Sequence, residues 1–179
     1  MKGMVFTMLS EMIEERFGYE TWDELIEQTE PDSEGIYVAS AVYPHEELIA
    51  YVGAISEKTS LSPTKIVFNF GHYMLGRFAD IHPEYFHNHT LKSFIQSVHD
   101  VIHVEVKKLH PDAVLPHFDY VDESADTLTV LYRSPRQLCA LAEGLISGAS
   151  EHFGTPVQFH HPVCMHDGAD HCRIELTFK

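Results

Sequence analysis

The chain lacks the signatures of the common metallohydrolases and nucleotide enzymes. It has no His-Glu-x-x-His, no Pro-Cys-x-x-Cys, no nucleophile elbow and no phosphate loop. Cations are scarce: 12 Lys and Arg stand against 27 Asp and Glu, a formal charge of −15. That balance repels phosphate backbones and anionic lipid, so neither nucleic acid nor a membrane is an expected partner. No apolar window approaches a membrane span, and the stretch Met4-Val5-Phe6-Thr7-Met8-Leu9 is too short for a signal core, so a cytoplasmic protein is expected. There is no internal repeat and no low-complexity tract. The 179 residues fit one domain, 1–179, with core enough for an internal cofactor. Cysteines number only 3, whereas 14 histidines exceed ordinary usage and are dispersed, which points to metal or haem chemistry even with most of them solvated at the surface.

The pattern predicts an α+β domain: a mainly helical part over 1–110, then an antiparallel four-stranded sheet in the order ββαββ over 111–179. A first helix from Lys2 to Phe17 repeats apolar residues at three and four spacing. Thr21-Trp22-Asp23-Glu24 reads as a capping box opening a short helix to Gln28, Pro44 as the first turn of a helix to Glu57, and Ser62-Pro63 as the cap of one through Phe78. Leu91, Phe94, Ile95, Val98, Ile102, Val106 and Leu109 make a single stripe, so a continuous helix from Thr90 to Leu109 packing on a core is predicted. After Pro111 the period becomes two. His117–Val121 and Thr127–Tyr132 read as one hairpin around Asp122–Asp126, and Pro135–His152 reads as a helix stopped by Gly154. Val157–Cys164 and His171–Phe178 read as a second hairpin around the short turn Asp167-Gly168-Ala169.

The stretch carrying most chemistry is Tyr132-Arg133-Ser134-Pro135-Arg136, at the end of a β-branched run. Alternate residues deliver a phenol, a hydroxyl and a guanidinium, donors suited to a pair of carboxylates. Upstream, His103 lies at the margin of the apolar stripe, about 115° from its centre at 100° per residue. Together with Met1-Lys2-Gly3, Phe78–Phe86 and Leu115-Pro116, these residues resemble the haem nitric oxide/oxygen-binding (H-NOX) family over nearly the whole chain. The resemblance implies haem b ligated through iron by His103. Tyr132, Ser134 and Arg136 would grip the haem propionates, and Pro116 would press on the macrocycle opposite the side chain at Val5.

The resemblance also implies which gas is bound. Oxygen-binding members carry a tyrosine nine residues after the motif tyrosine; here that place is Leu141. The other aligned pocket positions are Val5, Leu9, Met74, Phe78 and Leu145, all apolar. Bound dioxygen develops negative charge that a donor would stabilise, and nitric oxide needs little such help. The expectation is a five-coordinate ferrous haem that takes nitric oxide and carbon monoxide and discriminates against dioxygen. Release of the proximal His103 on nitric oxide binding would signal to a sensor histidine kinase or a cyclic-di-GMP enzyme. No enzymatic activity of the chain itself is implied.

All three cysteines fall near one hairpin, Cys139 on the preceding helix with Cys164 and Cys172 flanking the last turn. Three thiolates and one imidazole make a closed zinc set. Strict strand alternation favours His160 or His166 as the fourth ligand, whereas a sub-group of the family with these cysteines uses the His-x-x-Cys histidine, His161; a bulge would reconcile the two. Inert thiols and a Cys164–Cys172 redox pair are the alternatives. A zinc-dependent hydrolase and a haem-free zinc module that binds a protein remain as other functions, separated from the sensor by the presence of a haem absorption band.

Overall fold

The structure, a computed structural model, describes residues 1–179. Its backbone groups into two compact units, Met1–Phe70 and Gly71–Lys179. The first holds α1 (Gly3–Phe17), α2 (Tyr19–Thr29), α3 (His45–Thr59) and the opening turns of α4 (Pro63–Ile81). Helix α1 buries Phe6, Met8, Leu9, Met12 and Ile13, the last four on the face its spacing predicts. Phe6 stacks on Tyr37 at 4.4 Å, and Trp22 lies 4.7 Å from Tyr51. Oε2 of the buried Glu47 accepts from Tyr37 Oη at 2.6 Å and from Ser33 Oγ at 2.7 Å, while its Oε1 is buried without a partner. Ser62 Oγ accepts from the Lys65 amide, the N-cap expected before Pro63.

Thr21 is not a cap. Helix α2 begins two residues earlier, at Tyr19, because Gly18 at φ 90° makes the turn, and the Thr21 hydroxyl donates back to the Phe17 carbonyl. Pro44 precedes its helix as the N-cap instead of occupying the first turn.

The second unit contains the rest of α4, a 3₁₀ turn at Pro83–Tyr85, α5 (Leu91–Ser97), a π-helical turn at Val98–Ile102, and α6 (His103–Leu109). There follow β1 (His117–Ser124), β2 (Thr127–Arg133), α7 (Cys139–His152), β3 (Val157–Val163) and β4 (Cys172–Phe178). The strands form one antiparallel sheet in the order β1-β2-β4-β3, so the chain has the α+β, ββαββ architecture. Leu128, Val130 and Tyr132 of β2 alternate inward beside Cys172, Ile174 and Leu176 of β4. Phe94, Ile95, Ala142, Ile146 and Ala149 of the helices complete this core. Each fully buried Leu, Ile or Val contributes about 1.5–3 kcal/mol. Helices α4 and α7 approach closely because neither has a side chain at the crossing. A Cβ on Gly71 would lie 2.3 Å from the Leu141 carbonyl oxygen, and one on Gly148 would lie 2.8 Å from that of His72.

Four expectations are corrected. The helix expected from Thr90 to Leu109 is interrupted: the extra residue of the π turn rotates the following face, and Leu109 is 74% exposed instead of buried. The first hairpin closes between Ser124 and Thr127, a tighter turn than the sequence indicates. Helix α7 starts at Cys139 and not at Pro135, because Gln137 is left-handed (φ 51°) and its amide donates to Ser134. In the second hairpin the three-residue turn is replaced by a longer connection containing a 3₁₀ turn, Met165–Asp167, and Gly168 at φ 89°.

Candidate functional site

His103 opens α6 immediately after the π turn, a local distortion frequent at functional positions in helices. Its ring stacks on Phe118 of β1 at 5.6 Å, and Phe118 lies 5.6 Å from Tyr132 of β2. The helix histidine is thus joined to the strand-end motif through one aromatic ring. Burial pushes the His103 imidazole down to about 4, the nearby His99 adds to the effect, and a hydrogen bond with the Pro116 backbone opposes it. The ring is therefore neutral near pH 7, the form that ligates metals. Its Nδ1 is buried without a hydrogen-bond partner, as is Nδ1 of His99. An unpaired buried nitrogen is costly, and a neutral imidazole in this environment has the donor chemistry that would suit haem iron.

A cleft of about 610 Å³ lies beside this ring, walled by His99, His103, Val104, Leu115, Pro116 and His117 among others. Pro116 therefore stands next to His103. Tyr132 and Ser134 are both buried and hydrogen-bonded to each other through their side chains; burial pushes the phenol up to about 12, so it is a donor throughout the physiological range. Ser134 Oγ accepts from the Arg136 amide at 3.2 Å. The Arg136 guanidinium donates to the Val114 carbonyl at 2.5 Å, on the segment that walls the cleft. Tyr132, Ser134 and Arg136 thus form one connected group at the edge of the His103 cleft. A carbonyl is a weaker acceptor for guanidinium than a carboxylate, so this contact is one that a haem propionate can replace.

The apolar positions fall on three helices. Val5 and Leu9 are on α1 in the first unit; Met74 and Phe78 on α4, and Leu141 and Leu145 on α7, belong to the second. Within the second unit, Phe78 and Leu145 pack against the sheet core, and the α4–α7 crossing at Gly71 touches the backbone of both Leu141 and Leu145.

A second cluster is built at the same end of the sheet, where Cys172 of β4 pairs directly with Tyr132 of β2. One donor atom each from Cys139, His161, Cys164 and Cys172 lies within 4.8 Å of the others. The Cys164 sulfur is 3.9 Å from that of Cys139 and 3.9 Å from that of Cys172. Sulfurs bound at about 2.3 Å in a tetrahedron sit about 3.8 Å apart, so the spacing suits zinc, whereas a disulfide requires about 2.05 Å. The thiols are free. Burial, and then mutual proximity, push Cys139 up, and burial does the same for Cys172. The cluster therefore favours a cation that would stabilise its thiolates. The Met165 amide donates to Cys172 Sγ at 3.3 Å.

The fourth member is His161, because the β3–β4 pairing is irregular between His160 and Val163. This bulge removes the conflict between strand alternation and the family pattern. His160 instead faces Glu175 at 2.8 Å, and His166 Nε2 meets the Gln137 carbonyl. Sequence reasoning missed Glu143, whose Oε1 accepts from His161 Nδ1 at 2.8 Å. Its signal was available: Glu143 follows Cys139 by one helical turn and shares its face.

A family model described as Haem-NO-binding matches residues 2–161. An H-NOX protein from S. oneidensis, solved in the Fe(II)NO state, is 33% identical with a TM-score of 0.94, covering 100% of this chain and 99% of that one. One from K. algicida, in the unliganded Fe(II) state, is 28% identical with a TM-score of 0.92, covering 100% and 97%. One from Shewanella woodyi, in the Fe(II)CO state, is 35% identical with a TM-score of 0.85, covering 99% and 94%. No curated protein matches. With the His103 cleft, the Tyr132 group and a match over nearly its whole length, the chain belongs to the H-NOX family of haem-based gas sensors.

Proposed function

We propose that the protein senses nitric oxide through haem b held by His103. The observation that carries this is the half-buried, neutral His103 ring with its buried, unpartnered Nδ1 beside Pro116, and Tyr132, Ser134 and Arg136 close by on one strand end. Bound haem would supply the open iron position that takes nitric oxide or carbon monoxide. His103 would hold the iron, Pro116 would bear on the macrocycle, and the two hydroxyls and the guanidinium would fix the propionates. The residues that the family resemblance assigns to the gas pocket, Val5, Leu9, Met74, Phe78, Leu141 and Leu145, are all apolar and carry no hydroxyl or amide donor to favour dioxygen. The similar S. oneidensis protein has been solved with nitric oxide and with carbon monoxide.

The output is assigned to a partner, a sensor histidine kinase in preference to a cyclic-di-GMP enzyme, on the strength of the family resemblance. The element that would relay the signal is α6 with its preceding π turn, because His103 opens that helix and a change in what holds its ring would alter the restraint at the junction. Apoprotein titrated with haem tests the ligand. Wild type is expected to give a five-coordinate ferrous spectrum. His103→Gly should give it only when free imidazole is added, and His103→Gly protein that behaves as wild type without imidazole would overturn the assignment.

We also propose zinc at Cys139, His161, Cys164 and Cys172, supported by the tetrahedral spacing of the donor atoms. One zinc per chain is expected by metal analysis and less than a tenth of that in Cys172→Ser. Peroxide should release the zinc by oxidising the thiolates, which makes the site a redox reporter.

A further inference from the structure

We infer that Glu143 is a positioning residue for the zinc cluster, holding His161 in the one tautomer that presents Nε2 to the metal; this rests on the zinc reading above. An ionised carboxylate can only accept, so the 2.8 Å contact between Glu143 Oε1 and His161 Nδ1 puts the ring proton on Nδ1. The lone pair is then on Nε2, the atom that is buried and has no partner in the protein. Both observations point the same way: the nitrogen left bare by Glu143 is the one available to the three sulfurs.

The surroundings separate this contact from the other His–carboxylate pairs. Glu143 and His161 are 17% and 20% exposed, so water and salt screen them little. His160 opposite Glu175 is 74% exposed, and Asp170 beside His171 is 86% exposed. Those pairs are surface contacts of small energy, and neither histidine belongs to the cluster. Glu143 also comes from α7, the helix that supplies Cys139, while His161 comes from β3. One helical turn thus sets a ligand directly and a second ligand through its partner. A carboxylate on the far nitrogen raises the basicity of the imidazole and fixes its orientation, which is worth about 10- to 100-fold in metal affinity at comparable sites.

The test uses the full-length protein with zinc alone as the probe. Zinc affinity is measured by competition with a chromophoric chelator for wild type, Glu143→Gln and Glu143→Ala. Tautomers are read from long-range ¹⁵N–¹H couplings of His161 in the metal-free protein. Wild type is expected to show the Nδ1–H tautomer and to bind one zinc. Glu143→Ala should bind it about 10- to 100-fold more weakly with a mixture of tautomers, and Glu143→Gln, whose amide oxygen still accepts, should recover the tautomer and part of the affinity. Equal zinc affinity in all three proteins, or an Nε2–H tautomer in wild type, would overturn the role while leaving the zinc site standing. Should Glu143→Ala not fold, the wild-type tautomer and Glu143→Gln still decide. A wild-type protein that takes up no zinc would remove the zinc reading itself, and the role of Glu143 with it.

Discussion

Gly71→Ala and Gly53→Ala are the same substitution inside a helix, and the structure predicts opposite signs for them. A Cβ at Gly53 meets nothing within 4 Å, so only helix propensity changes, and alanine gains about 0.5–1 kcal/mol there. At Gly71 the new carbon would fall 2.3 Å from the Leu141 carbonyl oxygen and 2.9 Å from the Leu145 amide nitrogen. Both are backbone atoms of α7, so no side-chain rotation relieves the overlap and the helices must separate. Overpacking of this kind costs about 2–3 kcal/mol, and subtracting about 1 kcal/mol of propensity leaves a net loss of about 1–2 kcal/mol. In a chain of this size that lowers Tm by about 2–8 °C, against a rise of about 1–4 °C for Gly53→Ala. Thermal melts followed by far-ultraviolet circular dichroism on haem-loaded protein measure both. Displacing Leu141 and Leu145 should also alter the carbon monoxide dissociation rate in Gly71→Ala alone. A Tm raised equally by the two substitutions would refute the close crossing of α4 and α7 and the placement of those two leucines.

Arg136→Ala removes a charge-assisted contact worth about 1.5–3 kcal/mol, so haem transfer to an acceptor apoglobin should be about 10- to 100-fold faster; an unchanged rate would detach Arg136 from the propionates. Leu141→Tyr introduces a hydroxyl donor and should raise dioxygen affinity by about fivefold or more, read by equilibrium titration of the ferrous protein; no gain would mean that position 141 does not face the gas. His103, held down to about 4, leaves the folded apoprotein with fewer bound protons than the unfolded chain, whose histidine titrates near 6.5. The stability it contributes is present above about pH 6.5 and is lost as the pH falls toward 4, amounting to about 2 kcal/mol between pH 7 and pH 5. Urea unfolding of apoprotein at the two pH values should show this loss in wild type and not in His103→Asn, and parallel behaviour of the two would contradict it.

The strands and the first, third and fourth helices were legible because their apolar period is set by a core on one side. The Leu128–Val130–Tyr132 alternation is buried as read, and of the face read on α1, Met8, Leu9, Met12 and Ile13 are buried while Val5 is half-buried. The π turn was not legible: Val98 and Ile102 keep the helical spacing in the sequence, and only the geometry of the chain between α5 and α6 reveals the inserted residue. Thr21 misled because its hydroxyl satisfies a carbonyl behind it, and a capping box and that arrangement look alike in sequence. At the candidate sites, His103, Pro116 and the Tyr132 group were named from motif and resemblance, and the structure places them together. His161 could not be chosen over His160 by alternation, since the choice depends on a bulge that two adjacent histidines do not announce. Glu143 went unremarked among 27 acidic residues: its place one turn after Cys139 was readable, and its pairing with His161 was not.

The central claim is that His103 holds a haem whose open face accepts nitric oxide and not dioxygen. Its most direct test is the absorption spectrum of the reduced, haem-loaded protein under argon, then in air, then with nitric oxide. The account predicts a five-coordinate ferrous spectrum that is unchanged by air over minutes and converts fully on nitric oxide. A protein that binds no haem, or one that forms a stable oxygen complex in air, would contradict it.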